Sequence, residues 1–151
     1  RRFFGFSEKR EYNYIMGLPM GGYGALKCLL TKPERYAGCA TFSAVTDMPG
    51  RVAAAGEEDR REFQAIFGTA CRVPEKSDLF ALAKKADAAA LPKIYTACGE
   101  GDDLYPENVR FAKLLQESGA GNLFEHWEGI HDWIFWDRAV KRGMDVILGE
   151  Q

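Results

Sequence analysis

Apolar residues fall in four short runs separated by longer stretches with helical spacing. "YNYIMG" (12–17) ends in a glycine and reads as a buried strand. "YAGCATFSAV" (36–45), "KIYTACGE" (93–100) and "LFEHWE" (123–128) read as three more. Between them, "GGYGALKCLLTKP" (21–33) carries leucines at helical spacing and is stopped by Pro33. "PENVRFAKLLQESGA" (106–120) is amphipathic, with Pro106 in its first turn and Gly119 near its end. "DWIFWDRAVKRGMDVIL" (132–148) gives the last helix. Strands that alternate with helices of this length predict βαβ units, an α/β fold and a parallel sheet of about four strands near 12–17, 36–44, 93–99 and 123–128.

Residues 46–90 break the rhythm and read as a helical insertion. "RVAAAGEEDRREFQAIFG" has the pattern of one helix, and "SDLFALAKKADA" of another capped by Ser77. The charge run "EEDRRE" is expected on a solvated face. The opening "RRFFGFSEKR" reads as the end of a helix. The first strand is apolar on both faces and belongs inside a sheet, yet nothing in the 151 residues pairs with its other side. An exposed edge of that kind could be covered by a second copy of the chain, through edge pairing or exchanged elements.

Composition narrows the classes. A length of 151 residues suits one domain with a core of its own. A formal net charge of −2 provides no basic face for nucleic acid. No apolar run approaches the roughly 20 residues of a membrane span, and no leader pattern opens the chain. Cys28, Cys39, Cys71 and Cys98 form no C-x-x-C pair, and two histidines are too few for a zinc site of the usual kind. The cysteines read as small core residues of a reducing, cytoplasmic environment. No metal or organic cofactor is implied.

Three loops carry the candidate chemistry. "GLPMGGYGAL" (17–26) has the spacing of the G-x-S-x-G nucleophile turn between a strand and a helix, with Pro19 where the serine belongs. "CGEGDDLY" (98–105) ends the third strand in carboxylates that could orient a histidine. "GIHDWIFW" (129–136) places His131 after the last strand, whereas His126 sits within that strand with no partner in view. All three loops leave the carboxyl edge of a parallel sheet, where ligands bind in open α/β folds. The order nucleophile, acid, histidine is that of the α/β-hydrolases.

On "GLPMGGYGALK", "LPKIYTACGEGDDLY" and "GIHDWIFWD", the chain resembles the esterase D ("putative esterase") family of α/β-hydrolases, above all its tributyrin-esterase-like members. S-formylglutathione hydrolases and feruloyl and acetylxylan esterases are relatives. The resemblance runs over essentially the whole chain, which corresponds to the C-terminal part of the family's domain without its N-terminal strands. It implies hydrolysis of a short-chain acyl ester or thioester by a Ser-Asp-His triad. It assigns the acid to Asp102 rather than Asp103, the base to His131, and one oxyanion N–H to Met20. The second oxyanion N–H would come from a loop after an earlier strand. Leu18, Ser43, Tyr105 and Trp133 fall in the pocket region, with Tyr105, Trp133 and Trp136 expected to pack its base.

Pro19 departs from that pattern twice. It has no hydroxyl, so the acyl-enzyme route is closed. Its φ is also fixed near about −65°, whereas the resemblance implies a positive φ at the nucleophile. Two readings follow: an esterase site that is inactive as it stands, or a non-catalytic module that keeps the pocket for binding or assembly.

Overall fold

In the computed structural model of the chain, Gly5 and residues 7–149 are described. Four parallel strands lie in the order β1 (Tyr14–Gly17), β2 (Gly38–Phe42), β3 (Lys93–Gly99), β4 (Asn122–Trp127). In register, Ile15 lies beside Cys39, Cys39 beside Ile94, and Ile94 beside Asn122. The α/β class and the parallel four-stranded sheet expected from the sequence are both found. Of the helix end expected over 1–10, residues 1–4 and 6 lie outside the described residues, Ser7, Glu8 and Lys9 are not helical, and Arg10–Tyr12 form a single 3-10 turn.

Residue alternation in the two inner strands divides the core. Cys39 and Ile94 point to one face, where they meet Leu26 and Leu29 of α1 (Met20–Thr31), Leu79 and Ala83 of α4 (Leu79–Lys85), and Phe111 and Leu115 of α5 (Tyr105–Glu117). Ala40, Phe42, Tyr95 and Ala97 point to the other, against Phe135, Trp136, Ala139 and Ile147 of α6 (Trp133–Leu148). Both faces of β2 and β3 are therefore buried, which is why these strands read as unbroken apolar runs. The strands succeed one another in one direction, so right-handed crossovers put α1, α4 and α5 on the same face. Among the described residues β1 pairs only with β2, and its Tyr14 stays 37% exposed, the mark of an outer strand.

Two features of the insertion correct the sequence expectation. The single helix expected over 51–68 is two: α2 (Met48–Ala54) and α3 (Glu57–Phe67). Asp47 starts α2 by accepting from the Gly50 N–H at 2.8 Å. Ala55 and Gly56 then turn extended, and Glu57, Glu58 and Asp59 open α3 where acidic side chains favour a helix start. Gly56 weakens a continuous helix, and the acidic triplet begins a new one.

The cap of α4 is Asp78, not Ser77: its Oδ1 accepts from Phe80 N at 2.9 Å and Ala81 N at 3.2 Å. Ser77 instead ties the insertion to α1, its carbonyl accepting from the Tyr23 hydroxyl and its Oγ from Lys27 Nζ. Asp78→Ala should therefore cost about 1 kcal/mol in chemical denaturation, whereas Ser77→Ala should leave the α4 cap intact.

Two of the cysteines meet the expectation of core residues. Cys39 and Cys98 are buried, but Cys28 is exposed and Cys71 intermediate. Cys28 lies on the outer side of α1, between the buried positions Leu26 and Leu29. Among the described residues no helix is long and apolar enough to cross a membrane.

Candidate active site

The turn from β1 into α1 is shaped by two glycines. A Cβ on Gly17 would run into the backbone of Gly21 and Gly22, and one on Gly22 would come within 2.7 Å of the Ala44 Cβ. Strand, helix and the loop after β2 thus approach as closely as a nucleophile turn requires. At its apex Pro19 has φ −71° and ψ −42°, in the right-handed helical region. Among the described residues the only non-glycine positions with positive φ are Ser43 and Cys71. The Pro19 carbonyl accepts from Tyr23 N at 3.2 Å and Val45 N at 3.1 Å, pinning the helix start to the β2 exit loop. Met20 follows as the first residue of α1, 53% exposed, and nothing among the described residues accepts from its N–H.

Asp102 and His131 come from the loops after β3 and β4. Asp102 Oδ2 lies 2.8 Å from His131 Nδ1, and Asp102 Oδ1 accepts from Leu104 N at 2.9 Å. The carboxylate is shut away from solvent, while the His131 side chain is 39% exposed. An acceptor on Nδ1 places the proton of the neutral ring there and leaves Nε2 as the basic nitrogen. The neighbouring Asp103 makes no such contact among the described residues. Asp132 caps α6 through Phe135 N at 3.0 Å, fixing the loop that carries His131.

Pro19, Met20, Asp102 and His131 line one concavity of about 320 Å³, closed on the insertion side by Arg51 and Val45. The site could polarise a carbonyl and accept a proton. With proline at the apex it offers no hydroxyl to acylate.

Of the four residues expected in the pocket, none forms its wall. Ser43 lies beneath it: fully buried, at φ 44°, with its Oγ accepting from Trp136 Nε1 at 3.1 Å. Trp136 stands edge-on to His131, with ring centroids 4.8 Å apart, so Ser43 supports the histidine indirectly. Leu18 packs into the core on the α6 side. Tyr105 faces Phe124 and His126 instead, and Trp133 is 69% exposed. Of the three aromatics expected at the base, only Trp136 lies against the histidine. His126 does have a partner, Glu100 Oε1 at 2.8 Å, because β4 sets it beside the end of β3.

Cys98 Sγ is 4.0 Å from Ser43 Oγ, but burial pushes its thiol up to about 12, which rules it out as a substitute nucleophile near neutral pH. Sequence reasoning missed Arg51, Val45 and Leu104. Val45 and Leu104 follow β2 and β3 at the carboxyl edge, a position that could have flagged them. Arg51 carried no local signal.

The family model "Putative esterase" matches residues 5–144. The chain belongs to the putative esterase family. An acetyl esterase of Caldicellulosiruptor saccharolyticus is 30% identical over 96% of this chain and 58% of its own length. The S-formylglutathione hydrolase of Staphylococcus aureus superposes with a TM-score of 0.83 at 32% identity, over 98% of this chain and 59% of that one. The fluorophosphonate-binding serine hydrolase F of the same organism gives 0.85 at 32% identity, over 99% and 59%. The chain thus spans a little under three fifths of the length of these relatives.

Proposed function

We propose that this chain carries the substrate site of a Ser-Asp-His carboxylic ester hydrolase, for a short acyl ester or thioester, with the nucleophile replaced, and that it does not turn over esters as it stands. One observation carries the reading: the His131–Asp102 pair, at 2.8 Å, opens on the same concavity as Pro19. In a member with serine at that place, the hydroxyl would attack the acyl carbon. His131 Nε2 would take its proton and then return it to the leaving group. Asp102 would hold the ring and stabilise its charged form, and the Met20 N–H would meet the oxyanion. Pro19 has no hydroxyl to take the first of these steps. The names of the acetyl esterase and the S-formylglutathione hydrolase support a short acyl group.

The test is hydrolysis of p-nitrophenyl acetate and butyrate by the purified chain. Turnover should equal that of a matched His131→Ala variant. A rate clearly above that control would overturn the proposal.

A second reading, a binding or assembly module, is favoured by the concavity and the buried Asp102 that remain without a nucleophile. Saturable binding of a substrate ester without turnover would support it.

A further inference from the structure

Resting on the reading of the Pro19–His131 concavity as the substrate site, we propose that the break between α2 and α3 builds a second subsite for the leaving group. The ligand class is an apolar arm of medium length with a carboxylate at its head, held by Arg51. The break at Ala55 and Gly56 lets α3 diverge from α2. The groove between them encloses about 460 Å³ and is floored by Met48, Ala55, Phe63 and Ile66. Ile66 is 66% exposed and stands open at the groove's edge.

The groove and the catalytic concavity are continuous. Met20 and Arg51 line both, so the two spaces meet at the residue after the nucleophile position. An alkyl carbon needs about the space of a water, about 30 Å³, so an arm of about eight carbons fits the groove with room to spare.

Charge sets the direction. The Arg51 guanidinium has no hydrogen-bond or ion-pair partner among the described residues, whereas Arg110 and Arg142 are engaged with Asp47 and Glu125. Asp59 and Glu62 also border the groove, and neither pairs with Arg51. They repel a carboxylate from their part of the groove and leave Arg51, beside the dyad, as its cationic anchor. Asp103 borders the concavity on its other side, and Asp102 is occupied by His131. A short acyl group then sits at His131 while the larger, anionic substituent runs under Arg51 into the groove.

The absence of turnover makes this measurable at equilibrium. The purified full chain, isotope-labelled, is titrated by NMR with butanoate, hexanoate, octanoate and octanol. Affinity should rise from butanoate to octanoate by about two- to fourfold per methylene, with shifts at Met20, Phe63 and Ile66 and at the His131 ring. Octanol should bind about tenfold more weakly than octanoate. Arg51→Gln should lower octanoate affinity about tenfold and leave octanol unchanged. Ala55→Trp should abolish the dependence on chain length, with the melting temperature of each variant confirming its fold.

Equal affinity for butanoate and octanoate, or an Arg51→Gln variant that binds octanoate as well as the parent, overturns this inference alone if His131 still responds. Probes that shift Phe63 and Ile66 but never Met20 or His131 overturn the underlying reading of the site as well. So does failure of every probe to bind.

Discussion

Pro19→Ser is expected to raise p-nitrophenyl butyrate hydrolysis by about 100-fold over the parent chain, with all of the gain lost in Pro19→Ser/His131→Ala. The magnitude follows from three effects of unequal size. Restoring a triad serine to a complete site is worth about 10⁶ in kcat. The one oxyanion donor that the family pattern assigns within these 151 residues is the Met20 N–H, and a missing second donor costs about 10²- to 10³-fold. Residue 19 now has φ −71°, and moving a non-glycine residue to the left-handed region costs about 1–2 kcal/mol, roughly tenfold. Dividing the first by the other two leaves about 10² to 10³. On the proposed reading the nucleophile therefore wins over both deficits, because the pair it would work with is already formed: His131 Nδ1 and Asp102 Oδ2 are 2.8 Å apart without it. The measurement is kcat/KM on the purified variants, with the His131 ring followed by NMR. No gain while the His131–Asp102 bond persists would assign the site to binding.

What the sequence revealed here depended on how local the cause was. β2 and β3 were legible because burial on both faces leaves no room for polar alternation, and their unbroken apolar runs say so directly. The three candidate loops were legible because each follows a short strand at the same carboxyl edge, although only β3 among those strands is buried on both faces. Where two local signals competed, the reading slipped. Ser77 and Asp78 are adjacent cap formers, and which one caps is decided by the contacts of Ser77 with Tyr23 and Lys27, more than 40 residues away. "AAAGEED" keeps helical spacing through Gly56, so the break between α2 and α3 left no gap in the pattern.

Side-chain roles that need the assembled sheet could not be read at all. Ser43 was recognisable as a residue at a strand end. Its positive φ and its bond from the Trp136 indole follow from how β2 meets α6. His126 gained Glu100 as a partner only through the register of β4 on β3, which sets His126 beside Cys98. Arg51 is the clearest case. Nothing in "MPGRVAAA" distinguishes it from a solvent-facing arginine until α2 folds back over the β1–α1 turn.

The two glycines of G-x-P-x-G should part company on substitution, with a large loss of stability expected for Gly17→Ala alone. A Cβ at position 17 would meet the Gly21 carbonyl and the Gly22 nitrogen, which are backbone atoms and cannot rotate away. Relief requires α1 to lift off β1. That would uncouple Leu26 and Leu29 from Cys39 and Ile94, and it would strain the bonds from Tyr23 N and Val45 N to the Pro19 carbonyl. Overpacking where side chains can give costs about 1–3 kcal/mol. With a backbone obstacle, a cost above 3 kcal/mol is expected, and for a chain of this size that lowers the melting temperature by about 10 °C or prevents folding. Gly21 is the internal control. Around it a Cβ finds open space, and within α1 alanine is favoured over glycine by up to about 1 kcal/mol. Gly21→Ala should therefore melt at or above the parent. Both are read by thermal melts followed by circular dichroism. A Gly17→Ala chain as stable as the parent would mean that β1 and α1 do not approach closely, and with that the turn would lose its claim to be a nucleophile elbow by shape.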